Sequence, residues 1–317
     1  MAEVPVSPTE VEAAAQRIAG HVRQTPVLSL GTDAGAWPFS VVLKLELLQH
    51  SGSFKARGAF NWLLSRAPDL PRAGVVAASG GNFGVAMAYA SRELGVPATI
   101  VVPEVTSPVK RARLSDLGAN VVVVPGVYAD ALAASQAMAV ETGALLAHAY
   151  DHPDIVAGQG TCGLELDQQA AGAIDTVLVA VGGGGLIGGV AAWFSGRVRV
   201  VGVEPERIPT LHAALAAGQP VDVEVSGLAA DSLGASSVGA VPFAVARRFV
   251  DQVVLVSDES IAQAQRDLWA RCRIASEPGG AAAWAGVLAG GYRPEPDERV
   301  AVILCGGNVD LTSLGSA

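Results

Sequence analysis

Residues 74–103 read GVVAASGGNFGVAMAYASRELGVPATIVVP, with two valine-rich apolar runs on either side of an alanine-rich stretch. Short apolar runs of this kind are typical of buried strands, and the stretch between them has the spacing of a helix. A strand, a helix and a second strand in this order predict a βαβ unit with parallel strands. We therefore expect an α/β fold.

The same alternation recurs along the rest of the chain. Apolar strand-like runs return at 120–125, 176–181, 198–205 and 300–305, and alanine-rich helical stretches follow most of them. This rhythm predicts two parallel-sheet lobes, each with three layers. Residues 219–240 lack periodicity and are rich in glycine, serine and alanine, which predicts a loop with at most a short helix. Loops of this length often line sites.

Composition excludes several classes of function. The chain has 317 residues and a net charge of −9, and no cluster of lysine and arginine forms a stripe, so nucleic acid and anionic membranes are not expected partners. Charged residues interrupt every apolar run before it could span a bilayer. The N-terminus lacks the pattern of a secretory signal, so we expect a cytoplasmic location. The three cysteines, Cys162, Cys272 and Cys305, suit reduced thiols rather than a disulfide framework.

A polar turn at 49–59, QHSGSFKARGA, leads into a helical stretch. Lys55 would lie in the first helical turn, where the positive end of the helix dipole disfavours an ammonium group and favours the neutral amine that imine formation needs. A solvated lysine beside a helix capped by Ser51 or Ser53 explains the same residues. The motif alone leaves both interpretations open.

Two further glycine-rich turns follow predicted strands. The turn at 78–84, ASGGNFG, offers backbone N–H groups, a hydroxyl and an amide to a carboxylate or a ring oxygen, although Asn82 could simply cap a helix. Four consecutive glycines in the run 181–189, VGGGGLIGG, favour a backbone wrapped around a phosphate over tight packing alone. The run is not a Walker loop, because the terminal Gly-Lys-Ser/Thr is missing.

Taken together, the motifs SFKARGA, SGGNFG, GGGGLIGG, VEP, SEPGGAAA and CGGN resemble, in order, the fold-type II enzymes that use pyridoxal 5′-phosphate (PLP). Within this tryptophan synthase β-like fold, the chain resembles the serine/threonine dehydratase and serine racemase branch. The resemblance extends from Thr25 to Leu311. It implies a large PLP-binding domain of residues 1–72 and 148–317, a small domain of residues 73–147, and a homodimer.

The resemblance also implies roles for individual residues. Lys55 would hold PLP as a Schiff base and later remove the Cα proton of the substrate. The implied cofactor-binding residues are Phe54, Lys55, Asn82, Gly182, Gly183, Gly184, Gly185, Leu186, Glu277 and Cys305. In this set the glycines bind the phosphate, Asn82 the ring hydroxyl and Cys305 the pyridine nitrogen. The implied substrate-binding residues are Ser79, Gly80, Asn82 and Phe83.

The implied reaction is β-elimination from a small β-hydroxy amino acid, L-threonine and/or L-serine, to give a 2-oxo acid and ammonia. Serine racemase and hydroxyaspartate dehydratase are alternatives, and a β-replacement enzyme or a non-catalytic phosphate-binding module are others. Racemases of this branch have a second serine where this chain has Gly80, so we expect elimination without efficient racemisation. Phe83 stands where many relatives have histidine. The sequence 54–58, FKARG, has the dehydratase-like form, which disfavours β-replacement.

A metal site is a further implication of the resemblance. Relatives often bind Mg²⁺ or Ca²⁺ through the glutamate of the VEP turn, a backbone carbonyl and an acidic side chain, which correspond to Glu204, Ile208 and Thr210 here. Hard cations prefer several oxygen ligands, ideally with more than one charge, so a threonine in the last position should weaken the site. A helix-capping role for Glu204 is the alternative.

Overall fold

The computed structural model describes residues 4–31 and 38–310. The remaining residues of the predicted large domain, and Leu311 at the end of the family resemblance, lie outside the described residues. The strands are β1 (Val27–Gly31), β2 (Ser40–Lys44), β3 (Val75–Ala78), β4 (Ala98–Pro103), β5 (Asn120–Val124), β6 (Leu145–Leu146), β7 (Thr176–Ala180), β8 (Arg199–Pro205), β9 (Gln252–Val256) and β10 (Arg299–Ile303). The helices are α1 (Pro8–Ile18), α2 (Lys55–Leu64), α3 (Asn82–Leu94), α4 (Pro108–Asp116), α5 (Tyr128–Thr142), α6 (Pro153–Gln169), α7 (Gly185–Phe194), α8 (Thr210–Ala217), α9 (Ala230–Leu233), α10 (Ala240–Phe249), α11 (Asp258–Cys272) and α12 (Pro278–Leu288).

The strands form two separate sheets. The large sheet has the order β1-β2-β10-β7-β8-β9, and the small sheet has the order β5-β4-β3-β6. All pairings are parallel except that of the edge strand β1 with β2. The central strand β10 places Ala301 opposite Val42 on one side and Val177 on the other. The predicted α/β fold with two parallel-sheet lobes is confirmed.

Helices cover both faces of the small sheet. Side chains alternate between the two faces of a strand. In β3, Val75 and Ala77 belong to a buried cluster with α3, whereas Val76 and Ala78 belong to a second cluster with α5. The two helices therefore lie on opposite faces, and the small lobe has three layers.

The large sheet is buried in the same way. Every residue of β7 is buried, as expected for a strand with helices on both faces. Helix α7 packs against β7 and β8, and α12 packs along β7 to β10. Residues 219–239 contain the single short helix α9, as the sequence predicts. In the described residues, no helix is long and apolar enough to cross a membrane.

The buried core is continuous between the two lobes. Phe60 and Trp62 of α2, and Ile155 of α6, contribute to the same buried cluster as α3 of the small lobe. The division into residues 1–72 and 148–317 on one side, and 73–147 on the other, stays a prediction. Both lobes direct the carboxyl ends of their parallel strands into one cleft, where ligands usually bind in this class of fold.

Candidate active site

Lys55 is the first residue of α2, and the end of β10 fixes the segment before it. The Phe54 N–H donates to the Cys305 carbonyl at 3.1 Å, and Ser53 forms a bridge with Gly306. These contacts place the lysine beside the carboxyl end of the large sheet. The chain has only three lysines, all of them described, and Lys55 is the one that lines the central cavity.

The Lys55 amine lies among apolar groups. Its Nζ donates to the Ala149 carbonyl at 3.0 Å and lies 5.1 Å from the centre of the Phe54 ring and 5.9 Å from that of Phe83. Burial lowers the pKa of Lys55 to about 8, and nearby Cys305 only partly opposes this effect. The Ala149 carbonyl and the two rings carry no negative charge that would stabilise the ammonium form. The amine of Lys55 therefore loses its proton at a lower pH than that of an ordinary lysine.

A buried ion pair holds the first turn of α2. Arg57 donates to both carboxylate oxygens of Glu46, at 2.8 and 2.6 Å, and both side chains are almost completely buried. Arg57 also contacts Glu165 at 3.0 Å, and Glu165 in turn pairs with the buried Lys44 at 2.5 Å. This cluster of two cations and two carboxylates was not predicted from the sequence. It fixes the backbone two residues beyond Lys55.

The glycine run forms an anion cradle at the start of α7. Gly184 has a φ of +86°, which side-chain-bearing residues rarely adopt, and a Cβ at Gly183 would overlap the Tyr150 ring. Within the described residues, the N–H groups of Gly183, Gly184 and Gly185 have no hydrogen-bond acceptor. Free N–H groups at a helix N-terminus are a ready anion site.

Asn82 starts α3 and joins the two lobes. Its Nδ2 donates to Glu277 at 2.6 Å, and its Oδ1 accepts from Asn308 Nδ2 at 2.6 Å. Asn308 in turn accepts from Arg113 of α4 at 2.7 Å. These contacts fix the amide orientation and leave the second Nδ2 hydrogen for the cavity. Burial raises the pKa of Glu277 to about 7, although the Asn82 contact opposes the rise.

Cys305 follows β10 and faces the cavity as a neutral thiol. Its Sγ lies 3.5 Å from the Gly279 carbonyl. Burial, and to a smaller extent Glu277, raise the pKa of Cys305 well above its ordinary value. The residue therefore offers a weak, uncharged hydrogen-bonding group rather than a thiolate.

The turn after β3 forms the opposite wall. Ser79 Oγ accepts from the Gly81 N–H at 3.4 Å. A Cβ at Gly80 would come within 2.8 Å of the Thr106 methyl group, so Thr106 occupies the space that a larger residue at position 80 would need. Phe83 is only 3% exposed and presents its ring near the Lys55 amine.

These elements enclose a cavity of about 500 Å³ between the lobes. Every residue that the sequence predicts for cofactor or substrate binding lines it. Val225 and Asp231 also line the cavity and lie in the segment 219–240, where the sequence predicts a loop of a kind that often lines sites. Sequence reasoning missed Val127, Tyr128 and Tyr150, which line the cavity but carry no local pattern that marks them. Their proximity to the cavity depends on how the lobes pack.

The three residues predicted to hold a metal lie outside this cavity. Buried Glu204 accepts from the N–H groups of Leu211 and His212, each at 2.8 Å, and from the Thr210 hydroxyl at 2.7 Å. The Ile208 carbonyl accepts from the Thr210 N–H at 3.0 Å. Glu204 therefore caps α8, and the described residues contain no cluster of three or more metal-ligating His, Cys, Asp or Glu side chains.

Comparison with known proteins agrees with this geometry. Residues 18–306 match the family model described as pyridoxal-phosphate dependent enzyme. The chain is 35% identical to the L-threonine ammonia-lyase of Thermotoga maritima, over 86% of this chain and 68% of the relative. It is 39% identical to the phenylserine dehydratase of Ralstonia pickettii, over 94% of this chain and 91% of the relative.

A solved structure shares the whole architecture. The structure of maize serine racemase superposes with a TM-score of 0.91 and 32% sequence identity, and covers 98% of this chain and 96% of its own. The match of a family model to nine-tenths of the chain, the relatives above 30% identity and the cradle beside a buried lysine all point the same way. The chain belongs to the family of pyridoxal-phosphate dependent enzymes.

Proposed function

We propose that this protein is a PLP-dependent ammonia-lyase that eliminates water from a small β-hydroxy amino acid, L-threonine and/or L-serine, and releases a 2-oxo acid and ammonia. The observation that carries the proposal is the Lys55 amine, which faces the cavity without a carboxylate partner. The other two lysines cannot take this role, because Lys44 is sealed in the buried ion cluster and Lys110 pairs with Asp231. Relatives named L-threonine ammonia-lyase support the reaction.

The residues that line the cavity are suited to bind PLP. The unpaired N–H groups of Gly183, Gly184 and Gly185 would bind its phosphate, the free Asn82 hydrogen its ring hydroxyl, and the Cys305 thiol its pyridine nitrogen. When bound, PLP supplies an electron sink that stabilises negative charge at the substrate Cα. The neutral thiol favours an unprotonated ring nitrogen, which suits rapid elimination.

The remaining chemistry belongs to side chains of this protein. The Lys55 amine, whose pKa of about 8 makes the neutral form more available than in an ordinary lysine, takes the proton from Cα. Ser79 and the backbone N–H groups of its turn hold the substrate carboxylate. The Phe54 and Phe83 rings exclude water from the amine. A homodimer and a cytoplasmic location, as implied by the sequence, stay predictions.

Replacing Lys55 with alanine tests the proposal directly. We expect Lys55→Ala to lose the visible absorption of the bound cofactor and to slow 2-oxo acid release by about 10³-fold or more, because both the imine and the proton acceptor are lost. Borohydride reduction followed by peptide mapping should find the cofactor on Lys55 in the wild type. In the control Lys110→Ala, the cofactor should stay attached. Labelling of Lys44 or Lys110 instead would refute the assignment.

The lowered pKa of Lys55 predicts how cofactor attachment depends on pH. The neutral amine is the nucleophile, and its fraction grows as pH rises through about 8 instead of through the usual 10.5. The rate of PLP attachment to the apoprotein should therefore rise with pH and level off above about 8. Stopped-flow absorbance measures this rate, with Nα-acetyl-lysine as the reference amine. A rate that keeps rising to pH 10 would contradict the predicted pKa.

The glycine at position 80 disfavours racemase activity. A racemase needs an acid on the face of Cα opposite the lysine, and Thr106 fills the space where a serine at position 80 would stand. The wild type should therefore convert L-serine to D-serine far more slowly than it forms pyruvate. Racemisation should increase in Gly80→Ser/Thr106→Ala but not in either single variant, as measured by chiral chromatography. Comparable racemase and lyase rates in the wild type would reverse this conclusion.

The residues at the predicted metal site do not fit Mg²⁺ or Ca²⁺. Both oxygens of Glu204 and the Ile208 carbonyl already accept hydrogen bonds, and position 210 lacks a carboxylate. We therefore propose that Thr210 replaces the cation as the link between β8 and the glycine cradle, since its Oγ1 also lies 2.6 Å from the Gly182 carbonyl.

Chelation tests this assignment. EDTA should leave both the activity and the melting temperature of the wild type unchanged. In Thr210→Asp, saturating Mg²⁺ should raise the melting temperature by about 5 °C, because the second carboxylate restores a charged ligand pair. Thr210→Val, which keeps the shape without the hydroxyl, is the matched control and should not respond to Mg²⁺. Loss of wild-type activity with EDTA, restored by Mg²⁺, would show that the cation site persists.

A further inference from the structure

We propose that the cavity selects β-hydroxy amino acids whose β-substituent is an aromatic ring. The inference rests on the proposed function and specifies its substrate class. The overall reaction would be conversion of a β-aryl serine to an arylpyruvate and ammonia. Water lost across Cα–Cβ returns when the amino group is released by hydrolysis, so the atoms balance without a further reactant.

The charges around the cavity exclude an acidic substrate side chain. Among the described residues, the charged groups that line the cavity are Lys55, Asp231 and Glu277. Lys55 is committed to the cofactor, and the other two are acids. Lys110 pairs with Asp231 and does not itself line the cavity, so a side-chain carboxylate, as in hydroxyaspartate, would find no free cation among the described lining residues. The lining therefore disfavours an acidic substituent.

The wall beside the reacting carbon is aromatic and rigid. The centre of the Phe83 ring lies 5.9 Å from the amine of Lys55, the group proposed to take the Cα proton. Phe83 is 3% exposed and packs into the buried cluster of the small lobe, so it cannot turn away. A ring at this position offers no hydrogen bond to a polar side chain. It provides a flat apolar surface for a phenyl group.

The cavity mouth continues this apolar surface. Val127 and Tyr128 at the start of α5, and Val225 on the loop before α9, all line the cavity and remain 60%, 48% and 37% exposed. Exposed apolar groups on both sides of an opening favour an apolar occupant between them. A phenyl substituent would bring more apolar surface to these side chains than the methyl group of threonine does.

A second ring lines the inner side of the mouth. Tyr150 packs against the glycine cradle at Gly183. Burial raises the pKa of Tyr150 to about 12, and neighbouring Tyr128 adds to the rise. Both phenol rings line the cavity, and an aromatic substituent packs against such rings more favourably than a methyl group does.

The test compares kcat/KM for threo-β-phenylserine and L-threonine. Burying the additional ring carbons should favour phenylserine by about 10- to 100-fold in the wild type. Tyr128→Ala and Val127→Ala should reduce this preference by about 10-fold or more, chiefly by lowering kcat/KM for phenylserine. Val140→Ala is the matched control, because Val140 lies on the same helix, is 87% exposed and does not line the cavity.

The possible outcomes separate the two proposals. A preference for phenylserine that decreases in Tyr128→Ala and Val127→Ala, but not in Val140→Ala, supports the aromatic substrate class. Equal or better use of threonine, or a preference that Tyr128→Ala leaves intact, overturns this inference while the lyase assignment stands. Release of no 2-oxo acid from either substrate, by protein that carries PLP on Lys55, overturns the proposed function itself.

Discussion

The burial of one amine without a counter-charge governs the arrangement of the site. Lys55 has a carbonyl and two aromatic rings as neighbours, and desolvation lowers its pKa to about 8. A carboxylate in contact with it would stabilise the ammonium form and remove both its nucleophilicity and its basicity. The strong ion pair nearby is instead two residues away, where Arg57 and Glu46 neutralise each other. The cluster thus holds the backbone near the lysine in place without giving its amine a counter-charge.

The second requirement is that two sheets meet at their carboxyl ends. The lysine and the anion cradle lie beside the carboxyl ends of strands of the large sheet, whereas Ser79, Asn82 and Phe83 follow β3 of the small sheet. Asn82 has hydrogen bonds to Glu277 and Asn308, which both come from the other lobe. Because an amide held on both sides cannot flip, the docking of the lobes determines the orientation of the group that faces the cofactor ring. Movement of the small lobe would loosen Asn82 as well as open the mouth at Tyr128.

The sequence predicts the site residues whose role depends on local backbone conformation. It does not predict those that reach the cavity only through packing between distant segments of the chain. The turns around Gly80 and Gly184 follow valine-rich strands, so both their conformation and their place at a sheet edge could be predicted. Tyr128 begins α5 and Tyr150 lies shortly before α6, and only the packing of the lobes brings them to the cavity. From the sequence alone, Arg57 would be expected to be an exposed surface charge. Its burial and its ion pair with Glu46 depend on the tertiary structure. Family resemblance supplied the residue roles, which local pattern alone left open.

Thr210 links Glu204 of β8 to the glycine cradle. Thr210 Oγ1 lies 2.6 Å from the Gly182 carbonyl and 2.7 Å from Glu204, yet a hydroxyl has one hydrogen for these two acceptors. Burial raises the pKa of Glu204 to about 7, so near neutrality its carboxyl group is partly protonated and can donate the missing hydrogen. The hydroxyl and the protonated carboxyl group then supply one hydrogen each, and these two hydrogens link the three oxygens. The link to the glycine cradle is kept without a second carboxylate, because a hydroxyl that both accepts and donates can join an acid to a carbonyl.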